Sequence, residues 1–218
     1  MAASARSFGA AAALLLALGL TGCTTGDDSP ESTGPVVQLG APGEENRTLS
    51  PDEAAALDSP THSEADVEFM QMMILHHDQA LTMTGWVDER TTDRDIRLLA
   101  ERMRISQEDE MDFMAGWLRD RGTPLRDEHA AHGGGQDMPG MLTDEQFDRL
   151  EAAGGEEFER LFLEYMIQHH SGALEMVADL WASYGGQEPA IGQFARHVEG
   201  DQGIEITRMQ EMLAERTS

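Results

Sequence analysis

The sequence predicts an all-α protein, an antiparallel four-helix bundle built from a duplicated two-helix unit with a short extra helix in the central link. Two repeats and one periodicity predict it. Phe69-Met70-Gln71-Met72-Met73-Ile74-Leu75-His76-His77 returns 93 residues later as Phe162-Leu163-Glu164-Tyr165-Met166-Ile167-Gln168-His169-His170. The match continues from Ala80-Leu81-x-Met83 to Ala173-Leu174-x-Met176. At a shift of 95, Ile96, Ala100, Gln107, Glu110 and Met114 are answered by Ile191, Ala195, Gln202, Glu205 and Met209. Within each repeat the apolar positions step by three and four, as in Met70, Met73, His77, Ala80, Thr84, which is the period of one helix face.

The elements follow in chain order. Residues 1–22 read as an export signal, with Arg6 ahead of a short apolar core from Ala10 to Leu20. That core is too short to span a bilayer as a helix. Leu20-Thr21-Gly22-Cys23 resembles the bacterial lipobox, which implies cleavage before Cys23 and lipidation of its sulfur. The chain is then expected to be held by the lipid alone at the outer face of the bacterial cytoplasmic membrane or another cell-envelope membrane. Residues 23–61, after Cys23 rich in Thr, Ser, Gly, Pro, Asp and Glu, bury too little surface to offset ordering entropy and read as a disordered tether.

The duplicated helical domain is expected over residues 62–218. Ser63-x-x-Asp66 is a variant capping box, and Thr92 precedes an acidic first turn. Gly122 follows Arg119 and Arg121 at the end of the second helix. Thr143-x-x-Gln146 opens the short extra helix, which ends at Gly154-Gly155. Gly185-Gly186 closes the third long helix, and Pro189 suits the first turn of the fourth. Gly192, Gly200 and Gly203 weaken that fourth helix.

Composition narrows the chemistry. A net charge of -26, from 41 acidic and 15 basic residues, repels phosphate backbones and argues against a nucleic-acid binder. Every basic residue is Arg, so chemistry that needs Lys is excluded: a P-loop, a Schiff-base enzyme, a Ser–Lys hydrolase. One Cys rules out a disulfide framework and Cys-rich zinc or iron–sulfur sites. No His has an acid three residues before it, which removes the di-iron carboxylate motif.

What remains is the polar content of the helix seams. His77, His170, Gln107, Gln202, Glu110 and Glu205 stand where a bundle normally carries Leu, Ile or Val. Burying imidazoles and carboxylates costs several kcal/mol unless they are paired, hydrogen-bonded or bound to a metal. His76 and His169 sit about 100° around the helix from their neighbours, so the two His pairs bring four imidazoles toward the interior. Met73, Met83, Met166 and Met176 place thioethers within a turn or two of them. Imidazole with thioether suits Cu(I), and imidazole with carboxylate suits Cu(II). The Met residues also serve as core filler. Gln107 with Glu110, and Gln202 with Glu205, also read as a buried hydrogen-bond network that orients the His ligands or fixes register.

The central link holds a second candidate, His129-x-x-His132-Gly-Gly-Gly followed by Met138-Pro-Gly-Met141, read as a flexible, exposed loop able to capture an ion or as plain solvated loop. His62 and His197 have no repeat equivalents and are read as structural.

At the paired Met-Ile-x-His-His-x-x-Ala stretches the chain resembles domain-of-unknown-function family 305. The family's downstream Gln-x-x-Glu-(Ile/Met)-x-x-Met pattern fits Gln107, Glu110, Met111 and Met114, and again Gln202, Glu205, Ile206 and Met209. The Met-Pro-Gly-Met loop and the helix after it are similar too. The resemblance implies a ferritin-like four-helix fold, export, copper binding and copper resistance. The second copy departs from the first, with Val198 and Gly203 where the first has Met103 and Glu108, so the site is expected to be asymmetric.

The expectation is a lipid-anchored copper binder for sequestration or hand-off to an unidentified partner protein. Two alternatives stay open: a copper- or haem-dependent redox enzyme in the same cavity, and a metal-free interaction domain.

Overall fold

A computed structural model describes residues 36–38, 45–50, 52–53, 61–125 and 138–217. The expected leader, Cys23, His129 and His132 lie outside them. Within the stretch expected to be an unstructured tether, strands β1 (Val36–Gln38) and β2 (Arg47–Leu49) pair antiparallel, with Val36 opposite Leu49. The β-branched Val36, Val37 and Thr48 favour extended backbone, and composition averaged over the stretch hides so short a pairing.

The helices belong to a separate compact unit, residues 58–218. They are α1 (Glu64–Gly85), α2 (Val87–Arg90), α3 (Arg94–Asp120), α4 (Asp144–Ala152), α5 (Gly155–Ala182) and α6 (Pro189–Thr217). Both capping boxes form: Ser63 with Asp66 opens α1, and Thr143 with Gln146 opens α4. Asp66 reaches further than its own helix, because its carboxylate also accepts from the Gly186 N–H in the α5–α6 turn at 2.5 Å. Ser63→Ala is expected to cost about 1 kcal/mol and lower the thermal midpoint by roughly 2–4 °C, read by circular dichroism.

Two local expectations change. The N-cap of α3 is Asp93 rather than Thr92, since the Asp93 carboxylate accepts from the N–H groups of Asp95 and Ile96. The four-residue α2 was not legible in the apolar pattern; Trp86 keeps helical backbone and lets the chain restart after α1. α6 runs unbroken through Gly192, Gly200 and Gly203. Burial of Ile191, Ala195, Val198, Met209 and Met212 along one face outweighs the propensity cost of the glycines.

The core divides into two apolar clusters. One holds Met83, Met103, Phe158, Phe162, Met166 and Met209, and the other holds Met70, Met73, Met114, Met176 and Val198. Met73 and Met166 are equivalent in the repeat yet fall in opposite clusters, as do Met83 and Met176. The repeated helices therefore run antiparallel and are related by a pseudo-twofold. The polar seam residues lie between the two clusters. At one end Val198 takes the place that Met103 holds at the other.

Candidate metal centre

Helical spacing places His76 and His77 one turn after Met73, one turn before Ala80 and two turns before Met83, and the second copy repeats this on α5. All four imidazoles are buried. At the centre His76 of α1 and His169 of α5 lie face against face, ring centroids 3.7 Å apart and planes 36° from parallel. The rings touch, so a porphyrin held between those two would have to part them.

The outer pair is carboxylate-bound. His77 Nε2 lies 2.6 Å from Glu110 Oε2 on α3, and His170 Nε2 lies 2.8 Å from Glu205 Oε2 on α6. The N–H at Nε2 of each ring donates to the carboxylate, and Nδ1 is the nitrogen left over. Neither Nδ1 has a hydrogen-bonding partner. His76 repeats the arrangement, with Nε2 3.1 Å from the Pro139 carbonyl and Nδ1 unpartnered. His169 has no partner at either nitrogen. A histidine oriented by an acceptor at one nitrogen and bare at the other is the usual disposition of a metal ligand.

Burial keeps the central rings neutral. Removal from water pushes the His76 pKa down to about 3, assisted by neighbouring His77 and opposed by the Pro139 carbonyl. His169 is held well below the usual imidazole range, first by burial and then by the neighbouring imidazoles. Their lone pairs stay free of protons far into acid.

Met138–Leu142 forms a strap across α1 and α5. Gln79 of α1 brackets Leu142, accepting from its N–H at 2.9 Å and donating to its carbonyl at 3.4 Å. Gln168 of α5 donates to the carbonyls of Gly140 and Met141 at 3.3 and 3.2 Å. Gly172, the repeat equivalent of Gln79, lets the strap descend onto α5; a Cβ there would lie 2.1 Å from the Pro139 oxygen. Gly140 adopts φ 76°, in the left-handed region that favours glycine. The expectation of an exposed, flexible loop therefore fails over this segment: Met138 is buried and Met141 half-buried because the strap is pinned to both helices.

The other candidates fall into place around this layer. Met73 and Met176 pack in one flanking cluster, Met83 and Met166 in the other, all buried. Gln107 and Gln202 are buried, each with an unpartnered Oε1. One residue read as structural lies against Glu110: His197, whose Nε2 is 3.6 Å from Glu110 Oε1 and 3.4 Å from Asp201 Oδ2. The His-x-x-x-Asp spacing on α6 was a usable signal that the repeat comparison passed over, since it has no counterpart in the first copy.

The comparisons with known proteins agree with this architecture. A DUF305 protein of Streptomyces coelicolor superposes with a TM-score of 0.63 at 30% identity, over 71% of this chain and 93% of that one. CopM, solved in Cu(II)-, Cu(I)- and silver-bound forms, shares the fold. Its Cu(I) form gives a TM-score of 0.58 at 23% identity, over 70% of this chain and 98% of CopM. An uncharacterized protein of Acanthamoeba polyphaga mimivirus is 39% identical over 56 residues, 26% of this chain and 37% of the viral protein, so the chain spans little more than a third of that curated relative. The sequence profile described as a domain of unknown function, DUF305, matches residues 66–213, and the chain belongs to that family.

Proposed function

We propose that the chain is an extracytoplasmic, lipid-anchored copper protein that holds Cu(I) in the histidine layer, for sequestration or for hand-off to a partner protein. The carrying observation is the set of buried imidazole nitrogens without partners at His76, His77, His169 and His170. An unpaired buried acceptor costs about 1–3 kcal/mol, so four such rings in one layer call for an occupant. Cu(I) fits the donors, being soft, content with two or three ligands, and compatible with imidazole nitrogen beside thioether sulfur. Glu110 and Glu205 orient His77 and His170, and buried Gln107 and Gln202 precede those glutamates by one helical turn. The likeness to CopM, which binds copper and silver, supports the same reading. The leader and the lipobox-like Leu20-Thr21-Gly22-Cys23 support export and anchoring. No helix among the described residues is long and apolar enough to cross a membrane.

The test is a Cu(I) titration of the full-length chain in detergent against a chromogenic chelator. His77→Ala with His170→Ala is expected to weaken Cu(I) binding by about a hundredfold or more. Met73→Leu with Met166→Leu keeps volume and folding and is expected to weaken it by about tenfold. Absence of stoichiometric Cu(I) uptake, with the helical circular dichroism intact, overturns the copper reading.

A further inference from the structure

The Glu110 carboxylate faces two ways. Its Oε2 holds buried His77 at 2.6 Å, while its Oε1 is turned outward toward His197 on α6. Among the described residues, Glu110, His197 and Asp201 form a group whose ligand atoms lie within 4.8 Å of one another. We propose that these three residues form a second cation site, at the α3–α6 seam, for a borderline divalent ion such as Zn2+, Co2+ or Cu2+.

The spacing matches the chemistry. A metal–ligand bond of about 2.1 Å in tetrahedral geometry separates neighbouring ligand atoms by about 3.4 Å. The two measured separations from His197 Nε2 are 3.4 and 3.6 Å. One imidazole with two carboxylates is a donor set for borderline divalent ions, and it lacks the sulfur that a soft monovalent ion prefers. His197 and Asp201 stand one helical turn apart on α6, so a single rigid element sets two ligands. The third ligand is fixed from below, because Glu110 is only 7% exposed and His77 holds its other oxygen. His197 and Asp201 are 53% and 46% exposed, so an ion arrives from solvent without any opening of the bundle. The site borders a groove of about 670 Å3 lined by Glu110, Phe113, Gln193, Phe194 and His197, which leaves room for water or a second ligand at the open positions.

The pseudo-twofold supplies an internal contrast. The shift of 95 places Arg102 and Ser106 where the second copy has His197 and Asp201, and Arg102 and Ser106 line one groove together with Glu205 and Asp201. A guanidinium in place of the imidazole repels a cation, and a hydroxyl in place of the carboxylate is a weaker donor. The site is therefore one-sided, and it does not depend on the histidine layer holding copper.

Co2+ serves as the probe because its visible absorption reports nitrogen and oxygen ligation directly. The full-length chain is titrated alongside His197→Ala, Asp201→Asn and His169→Ala. One equivalent of Co2+ is expected to develop ligand-field bands, and His197→Ala and Asp201→Asn are each expected to weaken it by at least about tenfold. Both are surface changes on a long helix and leave the fold in place. His169→Ala, which strikes only the buried layer, is expected to leave these bands unchanged. Retention of the bands in either surface variant overturns the proposal, as does their loss in His169→Ala alone. Because Cu(I) binding in the layer is read separately, failure of one site does not imply failure of the other.

Discussion

Gly172→Ala is expected to cost about 3 kcal/mol and to lower the thermal midpoint by roughly 6–12 °C. Two effects oppose each other at this position. Alanine in a helix interior gains up to about 1 kcal/mol over glycine. The added Cβ, however, would meet the Pro139 oxygen at 2.1 Å, its carbonyl carbon at 2.3 Å and the Gly140 Cα at 2.5 Å. Backbone cannot be displaced as cheaply as a flexible side chain, so the steric cost wins. The strap must lift, and lifting it takes the Pro139 carbonyl from His76 and the Gly140 and Met141 carbonyls from Gln168. Gly200→Ala on α6 is the matched control, with no atom within 4 Å of the new Cβ. That change is expected to stabilise by about 0.5–1 kcal/mol. Urea or thermal melts of the two variants decide the matter, and a Gly172→Ala protein as stable as its parent would show that the strap does not bear on α5 in solution.

The second large effect is acid sensitivity of the metal-free protein. His76 resists its proton down to about pH 3, and burial holds His169 well below the usual imidazole range too, while in the unfolded chain both accept a proton near the ordinary value of 6.5. Between those limits the unfolded state binds more protons, so stability is full above about pH 6.5 and falls as pH drops from there. For His76 alone the loss between pH 7 and pH 5 is about 2 kcal/mol, and His169 adds to it in the same direction, against a typical domain stability of about 5–15 kcal/mol. Relief of self-repulsion acts in the opposite sense, since the chain carries a net charge of -26. Most carboxylates titrate near pH 4, so that relief arrives below the window in question. Urea unfolding at pH 7, 6 and 5 measures the slope. His169→Leu is expected to reduce it without breaking a side-chain hydrogen bond, because neither nitrogen of that ring has a partner. A flat profile, or one that His169→Leu leaves unchanged, would contradict burial of neutral imidazoles.

Much of the bundle was legible because its information is local and doubled. Two copies of one His-His motif define α1 and α5, two copies of Gln-x-x-Glu define α3 and α6, and Ser63, Thr143 and Pro189 mark starts that their own side chains or rings create. The four histidines and two glutamates were legible as a set because polar residues on an apolar stripe are conspicuous. Their pairing was not, since the repeat says which residues are equivalent but not which nitrogen meets which carboxylate. The strap was misread for a related reason. Met138-Pro139-Gly140-Met141 has the composition of an exposed loop, and its burial depends on Gly172 and Gln79, positions far from it in sequence that differ between the copies. His197 reads as structural in the sequence because it has no repeat equivalent, and only the packing of α6 on α3 brings it to Glu110.

The depth of the methionines has a consequence for how the protein ages in the presence of an oxidant. Met70, Met73, Met83, Met103, Met114, Met166 and Met209 expose no surface at all. A peroxide can add its oxygen to such a sulfur only while the helices are parted, so sulfoxide forms there at the pace of local unfolding. Met72, Met111 and Met141 are partly exposed and meet the oxidant first. The chemical ageing of the buried thioethers is set instead by how seldom the bundle opens.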